Sequence, residues 1–279
     1  MEKLRLALVQ MQSIIGDTKN NLEKMSRFVQ KAGLANADFI CFPELAITGY
    51  NREQAVDLAE EIPGPSSEFI LNLAQKHKII ILTGIIEKSA ENQKPYITHL
   101  ICYPDGRYFK YRKTHLGASE KPFFSPGDEL PVFEAGKANF AVQICWDCHF
   151  PEVSTIYSLK GAEVIFAPHA SPTIVGDRRE IWLRYLQARA YDNSVFFAVC
   201  NLIGENGTGS EFCGGLLVIG PKGQIIAEDF SNKEGILIAD LPSEQINKIR
   251  QEERKSMRNS FYLEYRRPEL YGELIQDFK

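Results

Sequence analysis

The chain predicts an α/β protein, a four-layer α-β-β-α sandwich built by an internal pseudo-two-fold duplication. Three observations carry this. First, Ala162-Glu163-Val164-Ile165-Phe166-Ala167-Pro168-His169 echoes Ala37-Asp38-Phe39-Ile40-Cys41-Phe42-Pro43-Glu44. Second, Pro104-Asp105-Gly106 and Pro221-Lys222-Gly223 stand as hairpin turns at the same place in each half. Third, each half supplies helices for only one face of its sheet. Packing the two bare faces together, with the helices outside, buries both. Because each half completes the other's core, residues 1–279 read as one domain.

The elements follow in order. Leu4 to Met11 is an apolar run of strand length. Asp17 or Thr18 can cap a helix to about Leu34, with Leu22, Met25 and Val29 near one face. Ala37 to Phe42 is a second strand. After Pro63-Gly64-Pro65, Ser66 or Ser67 can cap a helix to about Lys78, and Ile79 to Ile86 is a strand covered on both faces. Ile97 to Tyr103 and Arg107 to Arg112 form the first hairpin. In the second half, Ala141 to Cys145 is read as a central strand, followed by a helix opening at Phe150-Pro151-Glu152. Ala162 to His169, a helix from about Arg178 to Asn193, and Val195 to Cys200 come next. Leu216 to Gly220 and Gln224 to Ala227 make the second hairpin, and Ile236 to Asp240 a further strand. A charged helix over residues 243–256 opens the tail. Residues 241–279 are expected to be a helix and arm placed at a subunit interface or along their own chain.

Composition excludes several classes of function. The 279 residues hold 32 basic and 36 acidic side chains, a net charge of −4, with no basic stripe to attract nucleic acid. No apolar run reaches the ~18 residues of a membrane span. Charges interleave too closely in Met1 to Gln10 for a signal peptide, so the expected compartment is the cytoplasm and the six cysteines are expected to be free thiols.

Chemistry concentrates at Cys145-Trp146-Asp147-Cys148-His149, where an apolar strand turns toward a helix. Backbone N–H groups are free to face a ligand at such a place. The stretch permits a nucleophilic Cys145, a C-x-x-C redox dithiol, a C-x-x-C-H haem attachment, or two small core cysteines. Haem attachment is disfavoured because no export signal or distal ligand is evident. Glu44 and Lys113 end other strands. A carboxylate, an amine and a thiol at one sheet edge have complementary duties: Glu44 can take the thiol proton, and Lys113 can stabilise a developing oxyanion. Taken singly, Glu44 reads as a helix-start residue and Lys113 as a solvated loop lysine.

Phe42-Pro43-Glu44-Leu45 through Gly49-Tyr50, Arg112-Lys113-Thr114-His115-Leu116, and Ile144-Cys145-Trp146-Asp147 through Phe150-Pro151-Glu152 together resemble the three signature segments of the nitrilase superfamily of carbon–nitrogen hydrolases. The resemblance covers most of the chain. It implies the α-β-β-α fold, the catalytic trio Glu44, Lys113 and Cys145, Glu120 as a supporting second glutamate, no cofactor and no metal, and at least a homodimer. It implies a thiol hydrolase that cleaves a non-peptide C–N bond of a small amide or N-carbamoyl (ureide) compound. The reaction passes through a Cys145 acyl-enzyme and releases ammonia or an amine. Nitrile hydrolysis by the same trio is the alternative within the family, and a C-x-x-C redox protein the alternative outside it. Cys145-Trp146-Asp147 with Arg179-Glu180-Ile181-Trp182 is similar to the N-carbamoylputrescine amidase branch. Tyr50, Trp146 and His169 are the expected pocket residues. Arg178 or Arg179 is expected on the helix surface, or else against a substrate carboxylate. Cys148 departs from that branch, which suggests an oxidative Cys145–Cys148 cross-link.

Overall fold

A computed structural model describes residues 1–89, 94–251, 256 and 260–276. The first half runs β1 (Leu4–Gln10), α1 (Thr18–Leu34), β2 (Phe39–Cys41), a short α2 (Ala55–Leu58), α3 (Pro65–His77), β3 (Ile80–Glu87), β4 (Tyr96–Cys102) and β5 (Tyr108–Arg112). The second runs β6 (Phe133–Glu134), β7 (Asn139–Val142), α4 (Pro151–Leu159), β8 (Val164–His169), α5 (Arg178–Asn193) and β9 (Phe196–Asn201). A small hairpin, β10 (Ile203–Glu205) and β11 (Glu211–Cys213), precedes β12 (Leu216–Ile219) and β13 (Ile225–Asp229). β14 (Gly235–Leu241) and α6 (Ser243–Gln251) follow.

Two six-stranded sheets result, in the orders β14-β1-β2-β3-β4-β5 and β6-β7-β8-β9-β12-β13. In each, three parallel strands are flanked by antiparallel ones. The two orders superimpose element for element, as the duplication requires.

Strand alternation sorts the core into layers. Leu4, Leu6 and Leu8 of β1 and Phe39 of β2 face the second sheet, in one core with its Phe140 and Phe166. The Phe39 ring meets Phe140 edge-on at 5.1 Å between ring centroids, which locks the sheets face to face. Ala7 and Val9, one residue out of phase, pack under Met25, Val29 and Ile70 of α1 and α3. Ala141 and Ile165 pack likewise under Tyr157 of α4 and Trp182 and Leu186 of α5.

Several local expectations are corrected. The cap of α3 is Gly64, not Ser66 or Ser67. Ser67 sits at the third helical position, where its hydroxyl oxygen accepts from the Gly64 N–H at 2.8 Å. β7 ends at Val142 and lies one strand in from the sheet edge, so Cys145 does not end a central strand. The β10–β11 hairpin had no period-2 apolar run to announce it. α6 is described to Gln251, and residues 252–255 of the expected helix lie outside the described residues. The start of the C-terminal arm lies on its own chain. Tyr262 shares a 2.8 Å hydrogen bond with Tyr191 of α5, and the Lys222 ammonium lies over both rings. Further on, Tyr265, Leu270, Leu274 and Ile275 are exposed.

One close approach fixes the residues after β2. Gly84 on β3 has no side chain, and a Cβ there would lie 2.1 Å from the Leu45 nitrogen and 2.9 Å from the Glu44 carbonyl carbon. Both obstacles are backbone, so neither can swing aside. Gly84→Ala is therefore expected to push the Glu44–Leu45 backbone off the sheet and to destabilise the fold by about 1–3 kcal/mol. Urea unfolding measures this, and an unchanged midpoint would refute the close packing.

Candidate active site

Glu44 follows β2 in a turn where Leu45 has φ +53°, a left-handed conformation that bends the chain over β3. Lys113 comes immediately after β5. Both side chains are about 1% exposed. The Lys113 Nζ donates to Glu44 Oε1 at 2.8 Å and to Glu120 Oε1 at 2.7 Å. Glu120 is held in turn by the Gly117 N–H at 2.8 Å and by the Tyr50 hydroxyl at 2.8 Å. An ammonium between two carboxylates is the stable arrangement for buried charge, because neither sign is left alone.

Cys145 opens a 3-10 turn, Cys145–His149, between β7 and α4. Its φ of +44° is unusual for a residue with a Cβ and costs on the order of 1–3 kcal/mol. The turn is held by Asp147. This fully buried carboxylate accepts from the Ile144 N–H at 2.9 Å on one side. On the other it accepts from the Tyr111 hydroxyl at 2.8 Å, the Thr114 hydroxyl at 3.0 Å and the His115 N–H at 2.8 Å. Tyr111, Thr114 and His115 flank Lys113, so one carboxylate ties the lysine segment to the cysteine turn. Sequence reasoning missed Asp147 because an acidic residue in a turn ordinarily caps a helix. The trace that could have found it is Asp147 lying inside a strongly apolar stretch.

Ser171 flanks the thiol, its Oγ 3.8 Å from Cys145 Sγ. Asn201 clamps Ser171 through both backbone groups, at 2.8 and 3.2 Å. Ser171 lies in the segment 169–177, which the sequence suggests for the pocket mouth; Asn201 was not among the expected pocket residues.

The electrostatics are those of a proton-holding site. Burial raises the Glu44 carboxyl to about 7, against the opposing pull of Lys113. Burial would lower Lys113, but Glu44 and Glu120 together hold its ammonium well above its ordinary value. Burial pushes the Cys145 thiol up to about 12, and the charge it feels most strongly is that of Glu44. Glu44 Oε2 is buried with no hydrogen-bond partner, so it has a lone pair free to receive a proton.

The expected pocket residues part company. Tyr50 belongs to the site through Glu120. Trp146 is 43% exposed beside His149, with its ring 4.8 Å from that imidazole. His169 is buried and lies against Trp182, with Nδ1 donating to the Ala167 carbonyl at 2.8 Å. Burial holds it neutral, well below its ordinary pKa. Arg179 is on the surface, in a two-pronged pair with Glu228, whereas Arg178 is buried, which corrects its expected place on the helix surface. Cys148 is buried in the core under α4 and α5, and its thiol approaches the Gln143 carbonyl at 3.6 Å. A buried core cysteine offers neither an accessible dithiol partner nor a haem attachment point.

Among the described residues no group of three or more His, Cys, Asp and Glu gathers as a metal would need, and no helix is long and apolar enough to cross a membrane. A groove of about 870 Å³ is lined by Lys94, Leu116, Phe124 and Phe150 and does not include the thiol.

The chain matches the carbon-nitrogen hydrolase family over residues 5–251. It is 31% identical to a nitrilase of Pyrococcus abyssi, over 85% of this chain and 89% of that one. It is 32% identical to the omega-amidase NIT3 of Saccharomyces cerevisiae, over 90% and 91%. Its fold superimposes on the NitN amidase of Nesterenkonia sp. AN1 with a TM-score of 0.82 at 27% identity, covering 98% of this chain and all of that one. That amidase has been solved with acrylamide and with butyramide, and with the acetamide moiety of fluoroacetamide added covalently to its active-site cysteine. With the sandwich matched from end to end, the chain belongs to the carbon-nitrogen hydrolase family of the nitrilase superfamily and is an amidase-like carbon–nitrogen hydrolase.

Proposed function

We propose that the chain hydrolyses a small primary amide, with Cys145 as nucleophile, Glu44 as general base and Lys113 as the cation that holds the oxyanion. The observation that carries this is the buried Lys113–Glu44 pair, Nζ to Oε1 at 2.8 Å, which leaves Glu44 Oε2 without a partner, with Glu44 the charge that weighs most on the Cys145 thiol. A thiol raised to about 12 is protonated at rest, so attack and proton removal must coincide. Cys145 Sγ bonds to the carbonyl carbon as Glu44 takes the S–H proton. The oxyanion is held by the Lys113 ammonium and the Trp146 N–H. Glu44 returns the proton to the nitrogen, the C–N bond breaks, and ammonia leaves a thioester. Glu44 then takes a proton from water, whose oxygen attacks the thioester. The carboxylic acid departs and the thiol is restored. Glu120, anchored by Tyr50 and Gly117, keeps the lysine aimed.

Ammonia release from butyramide tests the reading. Mass spectrometry should trap the acyl group on Cys145. Cys145→Ala should abolish release, and Cys148→Ser should leave it largely intact; equal loss in both would favour the dithiol. Two finer readings share the panel. N-carbamoylputrescine is included because of the Cys145-Trp146-Asp147 resemblance. Butyronitrile is included because a relative bears the name nitrilase. The substrate with the highest kcat/KM decides among them.

The pH profile follows from Glu44. Its raised carboxyl, at about 7, must be ionised to accept a proton. Log kcat/KM is expected to fall with unit slope as pH drops below about 7 and to level off above it. A flat profile between pH 5 and 8 would remove Glu44 from the role of base.

A further inference from the structure

Behind the nucleophile lies a buried polar network that takes no part in the proton transfers of Glu44. β8 ends at His169 and β9 at Asn201, and their parallel register sets these two residues side by side. The chain then runs through Ala170 to Ser171, and Pro172 steers Ser171 toward an extended backbone. Asn201 is fully buried and holds Ser171 from both sides. Its Oδ1 accepts from the Ser171 N–H at 2.8 Å, and its Nδ2 donates to the Ser171 carbonyl at 3.2 Å. The same Nδ2 donates to the Gly214 carbonyl at 2.9 Å and reaches the Cys213 sulfur at 3.3 Å. The Cys213 thiol in turn donates to the Ser171 carbonyl at 3.4 Å.

The backbone of Ser171 is thus committed, and its side chain is left for the site. Among the described residues the Ser171 hydroxyl meets one partner, Cys145 Sγ at 3.8 Å. The cation beside the thiol has other duties. Lys113 spends two of its three N–H bonds on Glu44 and Glu120, and the third is the one the oxyanion needs. Burial, Glu44 and Glu120 all oppose a negative charge on the sulfur, whereas Lys113 and the Ser171 hydroxyl favour it. A satisfied buried network rigidifies what it holds, and this one holds a single hydroxyl against a single sulfur.

We propose that Ser171 is a further catalytic residue, whose hydroxyl donates a hydrogen bond to Cys145 Sγ as the thiol loses its proton, and that Asn201 is the positioning residue that keeps it there. The proton stays on Ser171 Oγ throughout. Glu44 takes the S–H proton while the sulfur bonds to the carbonyl carbon. The hydroxyl serves again when the thioester C–S bond breaks and the sulfur departs with negative charge. The 3.8 Å contact tightens at those two moments, as catalytic hydrogen bonds do when the charge they serve develops. The consequence for turnover rests on the amidase reading; the effect on the sulfur does not.

Alkylation of Cys145 by iodoacetamide, followed by peptide mass at about pH 8, reads the sulfur directly. Ser171→Ala is expected to slow it about 5-fold. Losing a hydrogen bond to a charged group lowers the thiolate population, and the greater reactivity of a more basic sulfur returns about half of that loss on a logarithmic scale. Ser171→Thr, which keeps the hydroxyl, should recover most of the rate. In butyramide hydrolysis Ser171→Ala should lower kcat/KM about 10-fold or more. Asn201→Ser should slow alkylation when Ser171 is present and add nothing in Ser171→Ala, because its action passes through that hydroxyl. Additive slowing would remove Asn201 from the positioning role. Parental alkylation of Ser171→Ala would overturn the proposal, and so would equal slowing in Ser171→Ala and Ser171→Thr, the mark of a packing role. Slowed alkylation rescued by threonine sustains the proposal even if no amide releases ammonia, whereas unchanged alkylation ends it even if butyramide is cleaved.

Discussion

Lys113→Met is expected to reduce ammonia release from butyramide by about 10³-fold or more, the scale on which a lost oxyanion donor is felt. Methionine nearly preserves the shape of the side chain, so packing is not what changes. The substitution removes the ammonium that joins Glu44 and Glu120 at 2.8 and 2.7 Å. Two buried carboxylates then face each other without a cation. Breaking a buried pair in this way costs about 3–5 kcal/mol, which urea unfolding would register beside the kinetics. The sign of the pH effect also follows. Lys113 pulls Glu44 down against the upward push of burial, so without it Glu44 rises further above about 7. Whatever activity survives should need a higher pH. Retention of more than a tenth of parental kcat at neutral pH would exclude Lys113 from the chemistry.

Asp147→Ala is expected to cost about 3 kcal/mol or more of stability and to lower kcat by about 100-fold with a smaller change in KM. The carboxylate accepts from Ile144, Tyr111, Thr114 and His115; the Ile144 and His115 N–H groups would lose this partner, and the Tyr111 and Thr114 hydroxyls would keep only each other and His115 Nδ1. The effect on kcat arises because the cysteine turn and the lysine segment are joined through this one group. Without it the thiol and the ammonium no longer keep a fixed separation. Asp147→Asn keeps the volume and one acceptor, and should recover part of both losses. A variant Asp147→Ala with parental melting temperature and kcat would show that the two segments are held by packing alone.

Much of the scaffold was legible in the residue pattern. α1 was read from a cap at Asp17 or Thr18 to about Leu34, with Leu22, Met25 and Val29 near one face, and α5 from about Arg178 to Asn193 by its place in the repeat; the structure has Thr18–Leu34 and Arg178–Asn193. The second hairpin was found from Pro221-Lys222-Gly223, a turn signal of the same kind as the first. The β10–β11 hairpin was missed because three-residue strands around Gly207 and Gly209 carry no periodicity to detect. Cys145 was placed on a strand because apolarity continues to Ile144. The chain in fact leaves β7 at Val142, since the Asp147 carboxylate recruits the Ile144 N–H into a turn.

The site divides in the same way. Glu44, Lys113 and Cys145 could be named from three short segments, since each residue type is required for its chemistry and stands next to a strand end. Glu120 was named from the same resemblance, and in the structure it accepts from the Lys113 ammonium at 2.7 Å. His169, Arg178 and Cys148 could not be placed, because linear sequence does not tell which face of a strand, helix or turn meets which layer.

The residue order by itself determined the layers, the duplication and the chemical identities of the trio, because periodicity and turn chemistry act over a few residues. Only the tertiary structure decided that Lys113 would be buried between two carboxylates, that Asp147 would bind the lysine and cysteine segments together, and that Arg178 would face inward while Arg179 faced out. Those outcomes depend on contacts between residues tens of positions apart, whose energies arise only once the two sheets have closed on each other and excluded water.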